Sequence, residues 1–288
     1  MDPLEKALAK AKNQTTNTQK PQKITEHTDK TVNYTQTKKH EINFDTLRQR
    51  RVVAQENHGV EAETFRLLRT KVLKQLRDNN WNSFAITAPG QDAGKSMVSV
   101  NLAISIAKEV NQTVLLVDLD LRFPKLHWYF DIKPEAGLRD YLLSDVPLNE
   151  LLINPGFERL VLLPGRGQAV GSSELLSGPK MQAMVEEIKQ RYQSRIIIFD
   201  LPPILAVDDV LACMDYFDAA LLVVEEGGTK PEDITKSIGN SSFRPKLNTF
   251  FGIPYCDSLN EGSSDPLSSS TTNGENTASL SHFLPLII

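Results

Sequence analysis

Apolar and polar positions change period several times along this chain. Five short runs, FAITA (84–88), VLLVD (114–118), LVLLP (160–164), IIIFD (196–200) and AALLVV (219–224), are continuous in apolar and branched residues. That is the pattern of strands buried on both faces. Between them, residues 97–109, 180–192 and 208–214 follow helical spacing. Strand alternating with helix predicts an α/β fold: a doubly wound, mostly parallel sheet with helices on both faces and right-handed crossovers. Ligands of such sheets sit beyond the carboxyl ends of the strands, so the residues just after each run are the candidates for chemistry.

The flanks read differently. Leu4, Ala7, Leu8 and Ala11 recur at the spacing of one helical face, which predicts a short amphipathic helix. Residues 13–39 are Thr, Gln, Lys and Asn with little to bury, a composition expected to stay disordered. Residues 239–281 are rich in Ser, Thr, Asn and Gly, and the closing HFLPLII is too short to cross a bilayer. The predicted organisation is a helix and polar arm over 1–50, a folded domain over 51–256 and a disordered tail over 257–288.

Composition narrows the partners. Lys and Arg number 32 against 36 Asp and Glu, a net charge of −4, which argues against a nucleic-acid partner held by bulk positive charge. Cys213 and Cys256 form no CxxC pair, so neither a disulfide scaffold nor a zinc site is expected, and the compartment reads as cytosolic. No apolar run approaches 18 residues, and Met1 to Lys6 lack the apolar core of a signal peptide.

The loop after the first run is Pro89-Gly90-Gln91-Asp92-Ala93-Gly94-Lys95-Ser96, leading into a helix in which Val98, Leu102 and Ile106 share a stripe. Phosphate binding needs inward backbone amides, a helix amino terminus, a lysine for the outer phosphates and a hydroxyl for magnesium. Gly94, Lys95 and Ser96 fit those roles, and Gly90, Gln91, Asp92, Ala93 and Met97 complete the expected nucleotide cradle. The pattern GxxxxGK[ST] asks for glycine at 89, where proline stands; the nearest is Gly90. The second run ends in Asp118-Leu119-Asp120-Leu121-Arg122 and the fourth in Asp200-Leu201-Pro202-Pro203. Asp118 and Asp120, two apart on extended backbone, emerge on one side. Each motif alone is an ordinary turn. Three carboxylates brought to one phosphate pocket repel one another unless a divalent cation sits among them, and magnesium takes such oxygen ligands while bridging β- and γ-phosphates. Ahead of the sheet, Phe65, Leu68, Val72 and Leu76 are spaced to face the core, leaving Glu63, Arg66 and Arg69 as a charged stripe.

Together these motifs resemble the bacterial tyrosine kinases of capsular and exopolysaccharide synthesis, among them the exosortase-associated autokinases. TAPGQDAGKS (the P-loop), LLVDLDLR (Walker A′) and IIIFDLPP (Walker B) stand in family order. They are joined by Pro124 and His127, Gly137-Leu138 with Asp140, Leu163-Pro164-Gly165, Ser173-Glu174-Leu175-Leu176 and Leu221-Leu222-Val223-Val224. The likeness runs roughly from 51 to 238.

The resemblance implies a P-loop NTPase fold and an ATP-dependent protein-tyrosine kinase, an autokinase regulating polysaccharide chain assembly and export. It implies that Gly94 and Lys95 cradle the phosphates of ATP and that Ser96 ligates Mg2+. Asp200 would hold the metal, while Asp118 and Asp120 would position metal and incoming tyrosine hydroxyl, Asp118 being preferred as the orienting base. The expected catalytic set is therefore Lys95, Asp118 and Asp120, and the expected metal set Ser96, Asp118, Asp120 and Asp200. ExxRxxR mediates ring-like self-association in the family, which places Glu63, Arg66 and Arg69 at a homo-oligomer interface. With no membrane segment in the chain, a membrane-anchored polysaccharide chain-length or co-polymerase activator would recruit it to the inner face of the plasma membrane. His127 receives no chemistry.

The carboxyl-terminal zone departs from the family, which ends in a strand like GxVLN and a tyrosine cluster. Residues 247–253, with Gly252, could supply the strand, but Pro254 and Cys256 break the pattern, and only Tyr255 lies in this zone. Two rivals follow. One is a nucleotide-operated switch of the ParA/MinD kind, although Gly90 stands where its signature lysine belongs. The other is a weakly catalytic nucleotide-binding module regulating polysaccharide export.

Overall fold

Alternate residues of each central strand enter two separate cores, and this decides the architecture. The computed structural model describes residues 38–109, 111–144, 146–191, 195–239 and 254–255. In chain order these form β1 (Lys38–Lys39), α1 (Phe44–Gln49), α2 (Val60–Asp78), β2 (Ser83–Thr87), α3 (Lys95–Ala107), β3 (Thr113–Asp118), α4 (Leu126–Tyr129), α5 (Leu138–Leu143) and α6 (Leu148–Leu151). There follow β4 (Ile153–Asn154), β5 (Leu160–Leu163), α7 (Ser172–Ser177), α8 (Pro179–Arg191), β6 (Arg195–Asp200), α9 (Asp209–Cys213), β7 (Ala219–Leu222), β8 (Val224–Glu225), α10 (Pro231–Gly239) and β9 (Pro254–Tyr255). Seven strands make one sheet in the order β1-β4-β5-β3-β6-β2-β7. Every pairing in it is parallel except β4 with β5.

Phe84, Ile86, Val114, Leu116, Leu160, Leu162, Ile196 and Ile198 pack on one face with Phe65, Leu68 and Val72 of α2 and Leu102 and Ile106 of α3. Ala85, Leu115, Val117, Val161, Leu163, Ile197 and Phe199 pack on the other with Leu176 of α7, Met181 and Met184 of α8, and Val210 of α9. Period-two side chains with both faces apolar read as unbroken hydrophobic runs, which is why these strands were legible. Each such Leu, Ile or Phe contributes on the order of 1.5–3 kcal/mol by leaving water. α3 is buried around most of its circumference, as befits a helix held between the sheet and α2.

The doubly wound, mostly parallel sheet is thus as predicted, and the five expected strands coincide with β2, β3, β5, β6 and β7 within one or two residues. The boundary expected at 51 is not observed. The sheet begins at Lys38, which pairs in parallel with β4, and α1 lies within the expected disordered arm. The reason is local: Asn43 accepts a hydrogen bond from Thr46 N at 3.1 Å as a helix cap, and Leu47 is buried in the core. A two-residue strand and a six-residue helix carry too few positions to show a period. The helix expected at 4–11, the arm to 37, the strand considered at 247–253 and the tail over 257–288 lie outside the described residues. Pro254–Tyr255 pairs in parallel with β8, so Pro254 opens a short strand although it departs from the family's sequence pattern. Among the described residues no helix is long and apolar enough to cross a membrane.

Candidate active site

Asp200 closes β6, the strand between β2 and β3, and its register partners are Ile86 on β2 and Asp118 on β3. Neighbouring strands lie about 4.8 Å apart, so two aspartates and the loop after β2 reach the same carboxyl edge. Backbone bonds fix the edge: Leu119 N donates to Asp200 O and Leu201 N to Ile86 O, both at 2.9 Å. Beyond β2 the chain turns at Gly94, whose φ of 82° is left-handed and favours glycine. Gly94 caps α3 without a side chain, so the first-turn amides and the positive helix end are left to a ligand.

The side chains of this loop meet the aspartates. Lys95 Nζ lies 2.9 Å from Asp120 Oδ2, with the two side chains 12% and 5% exposed. Ser96 Oγ donates to Asp200 Oδ2 at 2.7 Å, and Ser99 Oγ to Asp200 Oδ1 at 2.8 Å. Asp118 Oδ2 accepts from Leu126 N at 3.1 Å, while its buried Oδ1 has no hydrogen-bond partner among the described residues. The end of β5 passes close by: a Cβ on Gly165 would stand 2.7 Å from Pro124 Cβ and 3.4 Å from Asp118 Cγ, so only glycine fits there. Arg122 binds Asp209 through Nε and Nη2, the latter at 2.8 Å, tying the Walker A′ loop to the segment after Walker B.

Electrostatics follow from burial. Desolvation, with the Asp200 charge next, pushes Asp118 well above the ordinary carboxylate range, and desolvation also raises Asp200. Burial works to lower Lys95, but Asp200 and Asp120 outweigh it and raise the ammonium. Tyr129 is pushed up to about 12, first by burial and then by Asp200.

A cavity of about 500 Å³ opens over this edge. Gly94, Lys95, Ser96 and Asp120 form its floor, and Arg50, Phe123, Trp128 and Tyr129 stand among its walls. The sequence pattern had Asp118 and Asp120 emerging together. They part: Asp120 lies past the strand end and lines the cavity, while Asp118 is fully buried and is not among its lining residues. The three carboxylates do gather at this edge, where Asp200, Asp120 and Asp118 all act on Lys95, although among the described residues no three His, Cys, Asp or Glu side chains are grouped to hold an ion by themselves. The residues nonetheless fit a magnesium ion. The partnerless Oδ1 of Asp118, the carboxylate of Asp200 and the hydroxyl of Ser96 are hard oxygens, and magnesium takes few protein ligands when phosphates and water supply the rest.

The Glu63–Arg66–Arg69 stripe engages its own chain. Arg66 Nη2 is 2.5 Å from Glu63 Oε2, and Arg69 bridges from α2 to Glu109 at 3.0 Å and Ser105 O at 3.1 Å. His127 has its pKa lowered by burial, and its Nδ1 has no hydrogen-bond partner among the described residues. Sequence reasoning missed Ser99 and Asn101, polar residues inside the apolar stripe of α3. Asn101 Oδ1 accepts from Val53 N at 2.8 Å and Ala54 N at 2.9 Å, and its Nδ2 donates to Arg51 O at 2.9 Å. It thereby fastens the segment carrying Arg50 and Arg51 to the nucleotide-loop helix. A buried polar residue in an apolar helix is the signal that could have found both.

The AAA domain family (AAA_31) matches residues 87–225. The tyrosine-protein kinase YwqD of Bacillus subtilis (strain 168) is 32% identical over 190 residues, covering 66% of this chain and 79% of YwqD. The chain belongs to the bacterial tyrosine-protein kinase family. The tyrosine-protein kinase etk of Escherichia coli (strain K12) is 32% identical over 177 residues, 61% of this chain but 24% of etk, so the chain spans about a quarter of that relative. The solved kinase domain of Escherichia coli ETK superposes with a TM-score of 0.65 at 26% identity, covering 78% of this chain and 84% of that one. For this tyrosine-kinase family member the P-loop fold implies nucleotide binding, and the family expected from the motifs is the family found.

Proposed function

We propose that the chain is an ATP-dependent protein-tyrosine kinase, an autokinase acting in exopolysaccharide or capsule chain assembly and export. The observation that carries this is the 2.9 Å pair of Lys95 and Asp120, which joins the nucleotide loop to the Walker A′ motif on the floor of one cavity. Amides of Gly94, Lys95 and Ser96 at the α3 terminus bind the phosphates, with Gly90, Gln91, Asp92, Ala93 and Met97 as the rest of the cradle. Ser96, Asp118 and Asp200 would hold Mg2+, with Asp120 at the edge of that set, and the ion would neutralise charge on the phosphate oxygens. Lys95 moves its charge to the outer phosphates and releases Asp120. The acceptor phenol oxygen then bonds to the γ-phosphorus as the bond to the β,γ-bridging oxygen breaks. ADP leaves with that oxygen, and the phenol proton passes to a carboxylate. Because Asp120 lines the cavity and Asp118 is not among its lining residues, Asp120 takes the orienting role in place of Asp118.

Glu63, Arg66 and Arg69 are proposed as a self-association surface in a ring-like homo-oligomer. The chain is placed in the cytoplasm, recruited to the membrane by an anchored polysaccharide co-polymerase activator. The test is incubation of the full chain with ATP and Mg2+, followed by phosphotyrosine mapping by mass spectrometry beside Lys95→Met and Asp120→Asn. Tyrosine label lost in both variants is expected. ATP turnover without label would instead indicate a ParA/MinD-like switch, and nucleotide binding with neither would indicate a regulatory module.

A further inference from the structure

The cavity has walls that phosphates and a cation do not require. Phe123 and Trp128 are 53% and 49% exposed, and both rings line it. Trp128 is held from two sides. The Arg50 guanidinium carbon lies 4.7 Å from its ring centroid, Arg50 Nη1 donates to Trp128 O, and Arg50 Nη2 pairs with Asp131 Oδ1 at 2.8 Å. The Tyr129 ring meets Trp128 edge-on, with centroids 5.0 Å apart and an interplanar angle of 79°. Exposed aromatic faces fixed within a polar cavity are what a planar, apolar-bodied ligand group uses.

The position of Asp120 decides which group that is. One of its oxygens faces Lys95, and the other accepts from Phe123 N at 3.0 Å. The aromatic wall therefore begins directly beside the carboxylate that orients the acceptor, on the β3 side of the loop. Another opening is available to a nucleoside base. A second cavity of about 250 Å³ lies on the β7 side, where Pro89, Gly90 and Ala93 meet Leu205, Ala206 and Thr229. In the sheet, β3 and β7 stand on opposite sides of β2.

We infer that Phe123 and Trp128 form the acceptor wall, receiving the phenol ring of a tyrosyl side chain from another polypeptide, with Arg50 as the positioning residue that fixes Trp128. This rests on the kinase reading and adds to it the residues that select a ring-bearing acceptor. The wall accepts a tyrosine ring and offers nothing to the shorter, ringless side chain of serine or threonine.

The test uses the full chain and a synthetic peptide with one tyrosine, in two readouts. One is peptide binding by fluorescence anisotropy with a non-hydrolysable ATP analogue and Mg2+; the other is transfer kinetics with ATP. Trp128→Ala and Phe123→Ala should each weaken peptide binding and raise the peptide KM by about 2- to 10-fold, the range that aromatic contact energies correspond to. Affinity for the ATP analogue should be retained in both, since the phosphates are held by the α3 amides and Lys95 and not by the rings. Arg50→Gln should raise the peptide KM in the same direction, and Arg50→Lys, which keeps the charge but not the fork or the stacked plane, should restore it only in part. Thermal melting checks that each variant is folded, and Trp128→Phe, which keeps a ring, should bind like the parent. Equal peptide binding in parent and alanine variants, or no peptide binding by the parent, overturns the wall. A loss of analogue affinity in place of peptide affinity overturns it too, and assigns the rings to the base. Peptide bound through the rings without transfer keeps the wall and counts against the kinase reading, so the two failures are separable.

Discussion

Lys95 and Asp120 form an ion pair of 2.9 Å on the cavity floor, both side chains almost out of water. A phosphate arriving at Lys95 must share the ammonium with this carboxylate. Removing the competitor has opposite effects on binding and chemistry. Asp120→Asn should tighten ATP binding measured without divalent cation, by about tenfold if the charged hydrogen bond is worth its usual 1.5–3 kcal/mol less what the asparagine retains. The same variant should transfer phosphate to tyrosine at least about a hundredfold more slowly, the usual loss when a general base is removed. Calorimetry in EDTA and a transfer assay check the pair of outcomes.

Asn101 is the second point of leverage. Its side chain satisfies Val53 N, Ala54 N and Arg51 O from a fully buried position. Asn101→Leu keeps the volume and strands those groups, so stability should fall by about 2–4 kcal/mol, given a desolvation cost of about 1–3 kcal/mol for each unmet group. A lower denaturant midpoint at unchanged slope would record it. A variant as stable as the parent would show that the segment before α2 is held by other means.

The strands and the loop were legible because their signals are local and periodic: unbroken apolar runs for β3 and β6, and a glycine-lysine-serine turn between β2 and α3. The partition of Asp118 from Asp120 was not, since it depends on where β3 stops pairing with β6. Arg50, Phe123 and Trp128 carry no motif and reach the cavity only through the packing of α1 and α4, elements of six and four residues. Arg69 read as a surface charge because its partner Glu109 is 40 residues away in the chain, just past the carboxyl end of α3.

Asp218 supplies a pH signature away from the site. Burial alone would raise its pKa, but hydrogen bonds from Ser83 Oγ at 2.6 Å and Lys189 Nζ at 2.9 Å, with the backbone of Asn82, hold it below the ordinary value of 3.8. A carboxylate depressed by folding stabilises the folded state above its unfolded pKa, and that contribution fades as pH falls through the folded value. Asp218→Asn should therefore be less stable than the parent at neutral pH, with the gap closing below pH 3.8. Melting temperatures measured across the acid range test the convergence.

The arginine stripe gives a separable prediction. Arg66 pairs with Glu63 on the surface of α2, whereas Arg69 is also a strut to α3. If the stripe joins subunits, Arg66→Ala should lower the sedimentation mass at nearly unchanged melting temperature. Arg66→Ala with Arg69→Ala should lower both. Unchanged mass in the double variant would remove the stripe from any interface.

The most direct measurement is a calorimetric titration of MgATP into the full chain, in parallel with Lys95→Met. One saturable site per chain is predicted, with its heat lost or strongly reduced in the variant, because the ammonium and the α3 amides act on the same phosphates. No heat from the parent, or equal heats from both proteins, would contradict the assignment of this cleft to a nucleotide.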